Sequence, residues 1–469
     1  MPPLPIEILA HIFVQCLSDQ PYVKPDADRA PLLFMRVCRH WREIALQTTQ
    51  LWCSLSAVQY AWGMLQPMSG ARFGGYAAWL SRSGNRPLSL AVPFEETTAR
   101  RWSQEWVQLL LSYRGRFERL WVADERAVDL NEMVDGAHML KLLAVQAQTL
   151  VSCREDRVIT HPLPCLRTLL LDSCNVGPAI LPDAAWGNLT RLAVRLAEGR
   201  VYLVEEFLDL VSLCPNLQVL VFGPFFPERA WSAEAMPQPQ PPRSHPNLRL
   251  LTLVLSGPEV FQPASPILIL PALRSLRVQY DFEHDLEKAV TRKVGGAMTP
   301  PQRFLNIVAG RNEDFYLFDA GWMNITHLAV FFIGDLRVFS TVMELCPNLR
   351  VLEMKGHRCS DRSTSLPTPL LYPSLCELFI AVDAPLGNIL EVATLPGLQS
   401  LTIESGDCGE HGNVRDMLLR SRCALEKLDV WDTGLHQTHS RIYWTEEERA
   451  ELLESLPTLT EIELNPLAV

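Results

Sequence analysis

The chain has no CxxC pair among its 12 cysteines, no apolar run long enough to span a bilayer, and no basic-then-apolar opening of the signal-peptide kind. Thiols spread this thinly are expected to be buried, reduced and apolar in behaviour, in a protein that is cytoplasmic and/or nuclear and makes no membrane contact. A phosphate loop, a dinucleotide fingerprint and a nucleophile elbow are also missing, which leaves no constellation for a hydrolase or transferase. Cationic excess is absent too. The formal net charge of −11 argues against nucleic acid as a partner. The nearest metal-like spacings, Cys408/His411 and His436/His439, fall in glycine-rich or polar connections and read as solvated loop residues, so no metal and no cofactor is expected. Glu446, Glu447 and Glu448 after Thr445 suit a capped helix start better than acid–base chemistry.

What is present is the balance of a folded protein, with 48% apolar and 20% charged residues. At 469 residues the chain exceeds one ordinary core, which predicts two domains or an extended repeat array. A repeat is legible. The frame Leu-x-x-Leu-x-apolar recurs at Leu166/Leu169/Leu171, Leu217/Leu220/Phe222, Leu248/Leu251/Leu253, Leu349/Leu352/Met354, Leu398/Leu401/Ile403 and Leu425/Leu428/Val430. Weaker copies begin at Phe117, Leu140, Leu189, Leu273, Ile325, Leu375 and Leu459, and the interval from Leu273 to Ile325 is about double the others. Stop-and-turn signals such as Cys214-Pro215-Asn216 and Cys346-Pro347-Asn348 precede many copies, and amphipathic stretches such as Val204–Leu213, Leu336–Leu345 and Val414–Leu419 lie upstream. Tyr76–Ser83 and Arg100–Tyr113 predict helices, Pro87–Val92 a strand that opens the array, and the proline-rich Met236–Pro246 an exposed loop.

The first fifty residues carry a different pattern. Pro5 suits a helix start, and Ile8, Leu9, Ile12, Phe13 and Cys16 follow at helical spacing. A second stripe runs through Leu33 or Phe34, Val37, Cys38, Trp41, Ile44 and Ala45, with a turn-rich Ser18–Pro31 between them. Two short helices cannot bury that much apolar surface against each other, so a partner is the natural cover.

The ordered set Leu4-Pro5, Ile8-Leu9, Ile12-Phe13, Val37-Cys38, Trp41 and Leu51-Trp52 resembles an F-box, and the irregular repeats after it resemble the leucine-rich repeats of fungal, basidiomycete-type F-box proteins. Among the repeats, the copy at Leu166 reaches the family's Cys/Asn position with Cys174, and the others lack it. The resemblance implies an α/β fold with an F-box domain at 1–54, linking helices and a first strand at 55–115, and a leucine-rich-repeat horseshoe at 116–469 with a parallel sheet on its concave face. It implies a non-catalytic substrate-recognition subunit of a ubiquitin ligase. Leu4, Pro5, Ile8, Leu9, Ile12, Phe13, Leu33, Val37, Cys38 and Trp41 would then face a Skp-type adaptor, and through it a cullin. By period-two alternation the residues between the frame's leucines share the other face of the sheet. From Phe331 onward these positions mix aromatics and charge, and Phe331, Glu353, Lys355, Phe379, Glu404, Asp429 and Trp431 are the candidates for holding a client segment of basic and apolar character. The alternative is a repeat scaffold that recruits no ligase.

Overall fold

The computed structural model describes residues 4–17, 21–57, 60–61, 64–65, 70–93, 100–123, 130–146, 159–172, 180–195, 204–225, 243–255, 268–279, 306–308, 318–319, 322–333, 337–357, 370–382, 386–405, 411–432, 446–459 and 461–463. Cys174, Thr445, Cys408, His436 and His439 lie outside them. The chain divides into two compact units, one of Met1–Arg200 with Asp209–Leu217, the other of Val201–Leu208 with Gln218–Val469.

The first unit begins with three helices, α1 (Ile6–Gln15), α2 (Phe34–Val37) and α3 (Arg39–Gln47). After them come strands β1 (Ser54–Ser56), β2 (Leu88–Pro93), β3 (Phe117–Ala123), β4 (Leu142–Gln146), β5 (Thr168–Asp172) and β6 (Arg191–Arg195), joined in that order by parallel pairing. Helix α4 (Gly70–Arg82) begins six residues before the expected Tyr76, and α5 (Arg100–Tyr113) falls at its expected bounds. The strand expected to open the sheet is its second, because Leu90 pairs with Leu55 on one side and Leu120 on the other.

The second unit holds β7 (Val219–Phe225), β8 (Leu250–Leu255), β9 (Ser275–Gln279), β10 (Asn306–Val308), β11 (His327–Ile333), β12 (Val351–His357), β13 (Glu377–Val382), β14 (Ser400–Ser405), β15 (Lys427–Asp432) and β16 (Glu461–Glu463). All pair in parallel with their chain neighbours except around β10. The doubled interval is explained there. Ser275–Arg277 of β9 pairs with the first half of β11, and Asn306–Val308 pairs with its second half at Phe331–Ile333, so this copy contributes a three-residue wedge instead of a full strand. The fold is thus mixed α/β on parallel strands, as the pattern predicts.

Local chemistry explains the repetition. The first leucine of a frame closes a turn back to the residue three before it, as in Leu217 N to Cys214 O (3.0 Å), Leu349 N to Cys346 O (3.0 Å) and Leu398 N to Leu395 O (3.1 Å). Proline at the second position of such turns presets φ. The third position then reaches back one repeat: Asn216 Nδ2 donates to Gly187 O (2.8 Å), Asn324 to Pro271 O (3.2 Å), Asn348 to Met323 O (2.8 Å), and Ser374 Oγ to Pro347 O (2.9 Å). Where Gly397 takes that position, an added Cβ would meet Pro373 O at 2.2 Å, so no side chain fits. At the residue after the frame's leucine, each carbonyl accepts two N–H groups of the next copy, as Lys141 O does from Arg167 and Thr168, and Arg350 O from Cys376 and Glu377.

The frame's apolar residues are buried in every clear copy, with only Val430 half-exposed. Each contributes roughly 1.5–3 kcal/mol of burial. The segment read as an exposed loop up to Pro246 does not stay one to its end. Arg243–Ser244 pairs with Leu268–Ile269, and His245 is 3% exposed with its N–H on Ile269 O, while residues 236–242 lie outside the described residues.

Candidate functional site

Helix α1 starts with Pro5 just outside it, whose carbonyl accepts from Ile8 and Leu9 N–H, both at 3.1 Å. Its apolar residues then divide between two flanks. Leu9 (8% exposed) and Phe13 (1%) face inward, whereas Ile8 (49%) and Ile12 (41%) face out. The same split occurs at α2, where Phe34 is buried and Leu33 and Val37 are exposed. Phe13 stacks on Phe34 at 4.2 Å and tilts against half-buried Trp41 at 4.9 Å, so three aromatic rings weld α1, α2 and α3. The Cys38 sulfur caps α3 by accepting from Trp41 N–H at 3.4 Å, in an extended backbone that lets the chain turn from α2 into α3.

This welded module is anchored to the strands. Trp52 is fully buried, its Nε1 donating to Ala45 O (2.9 Å), with Trp79 edge-on at 4.9 Å and the Arg82 guanidinium 4.8 Å over its ring. The turn-rich connection contributes as well, since Ser54 Oγ donates to Pro21 O and accepts from Val23 N–H, both at 2.9 Å. It carries Tyr22 onto Ala91 and Trp121, a cover that turn composition alone does not reveal.

Of the ten residues expected on an adaptor-facing surface, Leu4, Pro5, Ile8, Ile12, Leu33, Val37 and Cys38 are exposed. Leu9 and Phe13 are not on that surface. They are spent on this chain's own helix packing, and Trp41 is half so. Ile6 is exposed as well, although it is not among the ten. Six of the eleven large apolar side chains that stay exposed among the described residues, Leu4, Ile6, Ile8, Ile12, Leu33 and Val37, belong to this module.

The second candidate surface lies on the strands of the second unit. Register places Glu353, Phe379, Thr402 and Asp429 in one row across β12 to β15, and Lys355, Ala381, Glu404 and Trp431 in the next. Glu353, Phe379 and Glu404 are half-buried, and the side chains of Phe331, Lys355 and Trp431 lie outside the described residues. Asp429 departs from the expectation of an open contact. It is 6% exposed, with Lys427 Nζ at 3.2 Å from its Oδ2 and Thr402 Oγ1 at 3.5 Å, because the lysine two residues earlier on the same face folds over it. Glu377 stands beside these rows, and burial pushes its carboxyl above the usual range. His327 in β11 is held below the ordinary imidazole value by burial, then by Arg350 and Arg277.

No group of His, Cys, Asp and Glu that could hold a metal occurs among the described residues, and no helix there is long and apolar enough to cross a membrane. No protein-family model matches the chain, and no curated protein matches it either.

Proposed function

We propose that this chain is the substrate-recognition subunit of a Skp–cullin–F-box ubiquitin ligase. Its N-terminal helices would hold the adaptor and, through it, the cullin, while the leucine-rich repeats hold a client. The observation that carries this reading is the division of α1 and α2 into a self-packed flank (Leu9, Phe13, Phe34) and an apolar flank left open (Ile8, Ile12, Leu33, Val37). Contiguous exposed apolar surface marks interaction sites, and aliphatic anchors on helices are what a helical adaptor buries. The chain would supply proximity and no nucleophile, so that ubiquitin transfer is catalysed by other subunits. The client is read by the mixed aromatic and acidic rows around Glu353, Phe379 and Glu404.

Co-expression of the full chain with a Skp-type adaptor and a cullin tests the assignment. A ternary complex that elutes together is the expected result. Elution with the adaptor but without the cullin identifies a non-ligase scaffold, and elution alone rejects both partners.

A further inference from the structure

The residue after a frame's first leucine sits at the N-terminal rim of its strand, and in several copies it is basic. In the first unit these cations are satisfied at home. Lys141 Nζ donates to Glu118 Oε1 at 2.6 Å, and Arg167 Nη1 donates to Pro164 O (3.2 Å) and Leu166 O (3.0 Å). In the second unit the same position holds Arg249, Arg274, Thr326 and Arg350 on β8, β9, β11 and β12. The three arginines are exposed, and their guanidinium groups make no hydrogen bond or ion pair among the described residues. Each immediately precedes a residue of one in-register row, Leu250, Ser275, His327 and Val351, so the rim runs across three strand steps, about 14 Å. Half-buried Arg277 adds a further cation on the adjoining face.

We propose that this rim binds an extended acidic segment of a partner protein, with Arg249, Arg274 and Arg350 each taking a carboxylate. A guanidinium presents a planar fork that matches a carboxylate bidentately, and unpaired guanidiniums in a row repel one another until an anion arrives. An extended peptide brings same-side residues past every 6.8 Å or so, and such a strand laid along the rim offers two or three acids to the three forks. Nucleic acid fits less well: three cations are a small counterweight to a phosphate polymer approaching a chain of net charge −11. The rim needs neither adaptor nor cullin, so it stands or falls separately from the ligase assignment.

The test is fluorescence anisotropy of a labelled peptide of alternating Glu and Ser with the full chain alone, beside a Gln–Ser peptide of equal length. The Glu–Ser peptide is expected to bind more weakly as salt rises, and the Gln–Ser peptide not to bind. One Arg→Gln change should cost about two- to fivefold and the triple variant R249Q/R274Q/R350Q about tenfold or more. Arg167→Gln, at the satisfied position of the first unit, should change nothing. Because the three guanidiniums make no hydrogen bond or ion pair among the described residues, the triple variant should melt like the wild type. Saturating peptide should also raise the titration midpoint of His327, whose cationic neighbour Arg350 would be neutralised. Equal binding of the two peptides, unchanged binding by the well-folded triple variant, or tighter binding of an oligothymidylate of matched charge would each overturn the proposal.

Discussion

Along β4, β5 and β6 the positions between the frame's apolar residues hold Leu142, Ala144, Thr168, Leu170 and Ala193, all buried, with Arg191 exposed, whereas along β12, β13 and β14 the same face holds Glu353, Glu377, Phe379, Ser400, Thr402 and Glu404, all half-buried, with Val351 and Ala381 buried. The backbone is the same in both places: parallel pairs, a turn before each strand, and a carbonyl that accepts two N–H groups from the next copy. What differs is the use of the face. Leu170 sits in register between Ala144 and Ala193, so large and small side chains close over each other, and the nearby Asp172 is matched by Arg195 at 2.5 Å. The acidic and aromatic residues of β12, β13 and β14 keep their side chains half-exposed. One frame therefore yields a closed stretch that stabilises and a half-open stretch that can read a partner.

The comparison breaks most visibly under truncation. Leu170→Ala should cost about 2–5 kcal/mol, because a fully packed side chain is lost from a face that only looks external. Phe379→Ala should cost less than about half as much, since the ring is half-exposed. Chemical denaturation of both variants checks this, and equal losses would mean that the two faces are packed alike. The shared backbone frame gives a second test. Gly397→Ala should cost about 1–3 kcal/mol, as its Cβ meets the fixed carbonyl of Pro373, while Asn348→Ala loses one turn-to-turn hydrogen bond worth about 0.5–1.5 kcal/mol.

A finer test uses Cys214 and Cys346, which hold the same turn position in the two units. Burial pushes both thiols from their ordinary 9.0 up to about 12. The folded chain therefore keeps protons that the unfolded chain releases near pH 9, so the stability they confer is complete below that pH and lost as pH rises toward 12. Each thiol should contribute a slope of up to about 1.4 kcal/mol per pH unit in that window. Alanine at either position should flatten the dependence by a similar amount, measured by urea unfolding between neutral and alkaline pH. A different response from the two would show that the turns are not equivalent.

Much of this architecture is legible in the residues. The spacing places the Arg100–Tyr113 and Val204–Leu213 helices at their observed bounds, and the Leu-x-x-Leu frame finds the strands because period-two burial is a local property. The doubled interval after Leu273 announces an irregular copy, but a three-residue strand such as Asn306–Val308 has no pattern of its own. The N-terminal helical module is half legible. Ile8 and Leu9 are adjacent in sequence and about 100° apart on the helix, so both lie on one broad apolar arc. Which side of that arc turns inward is marked by Phe13, one turn on from Leu9, which stacks on Phe34 and tilts against Trp41, residues brought there by the fold. Asp429 fails for a related reason, since strand alternation assigns it a face but not the lysine that closes over it. The arginine rim follows a legible pattern, because Arg249, Arg274 and Arg350 each come after a frame leucine; that they make no hydrogen bond or ion pair among the described residues is a fact of the structure.

The central claim is that the open apolar flank of α1 and α2 is an adaptor-docking face, and calorimetric titration of a Skp-type adaptor into the full chain tests it most directly. The comparison is between wild type and a variant carrying Ile8→Glu, Ile12→Glu and Val37→Glu, three changes at side chains that are 49%, 41% and 52% exposed. Interface anchors are worth about 2 kcal/mol or more each, so the variant should lose detectable binding while its melting curve stays that of the wild type. Equal binding by both proteins, or no binding by a well-folded wild type, would contradict the account.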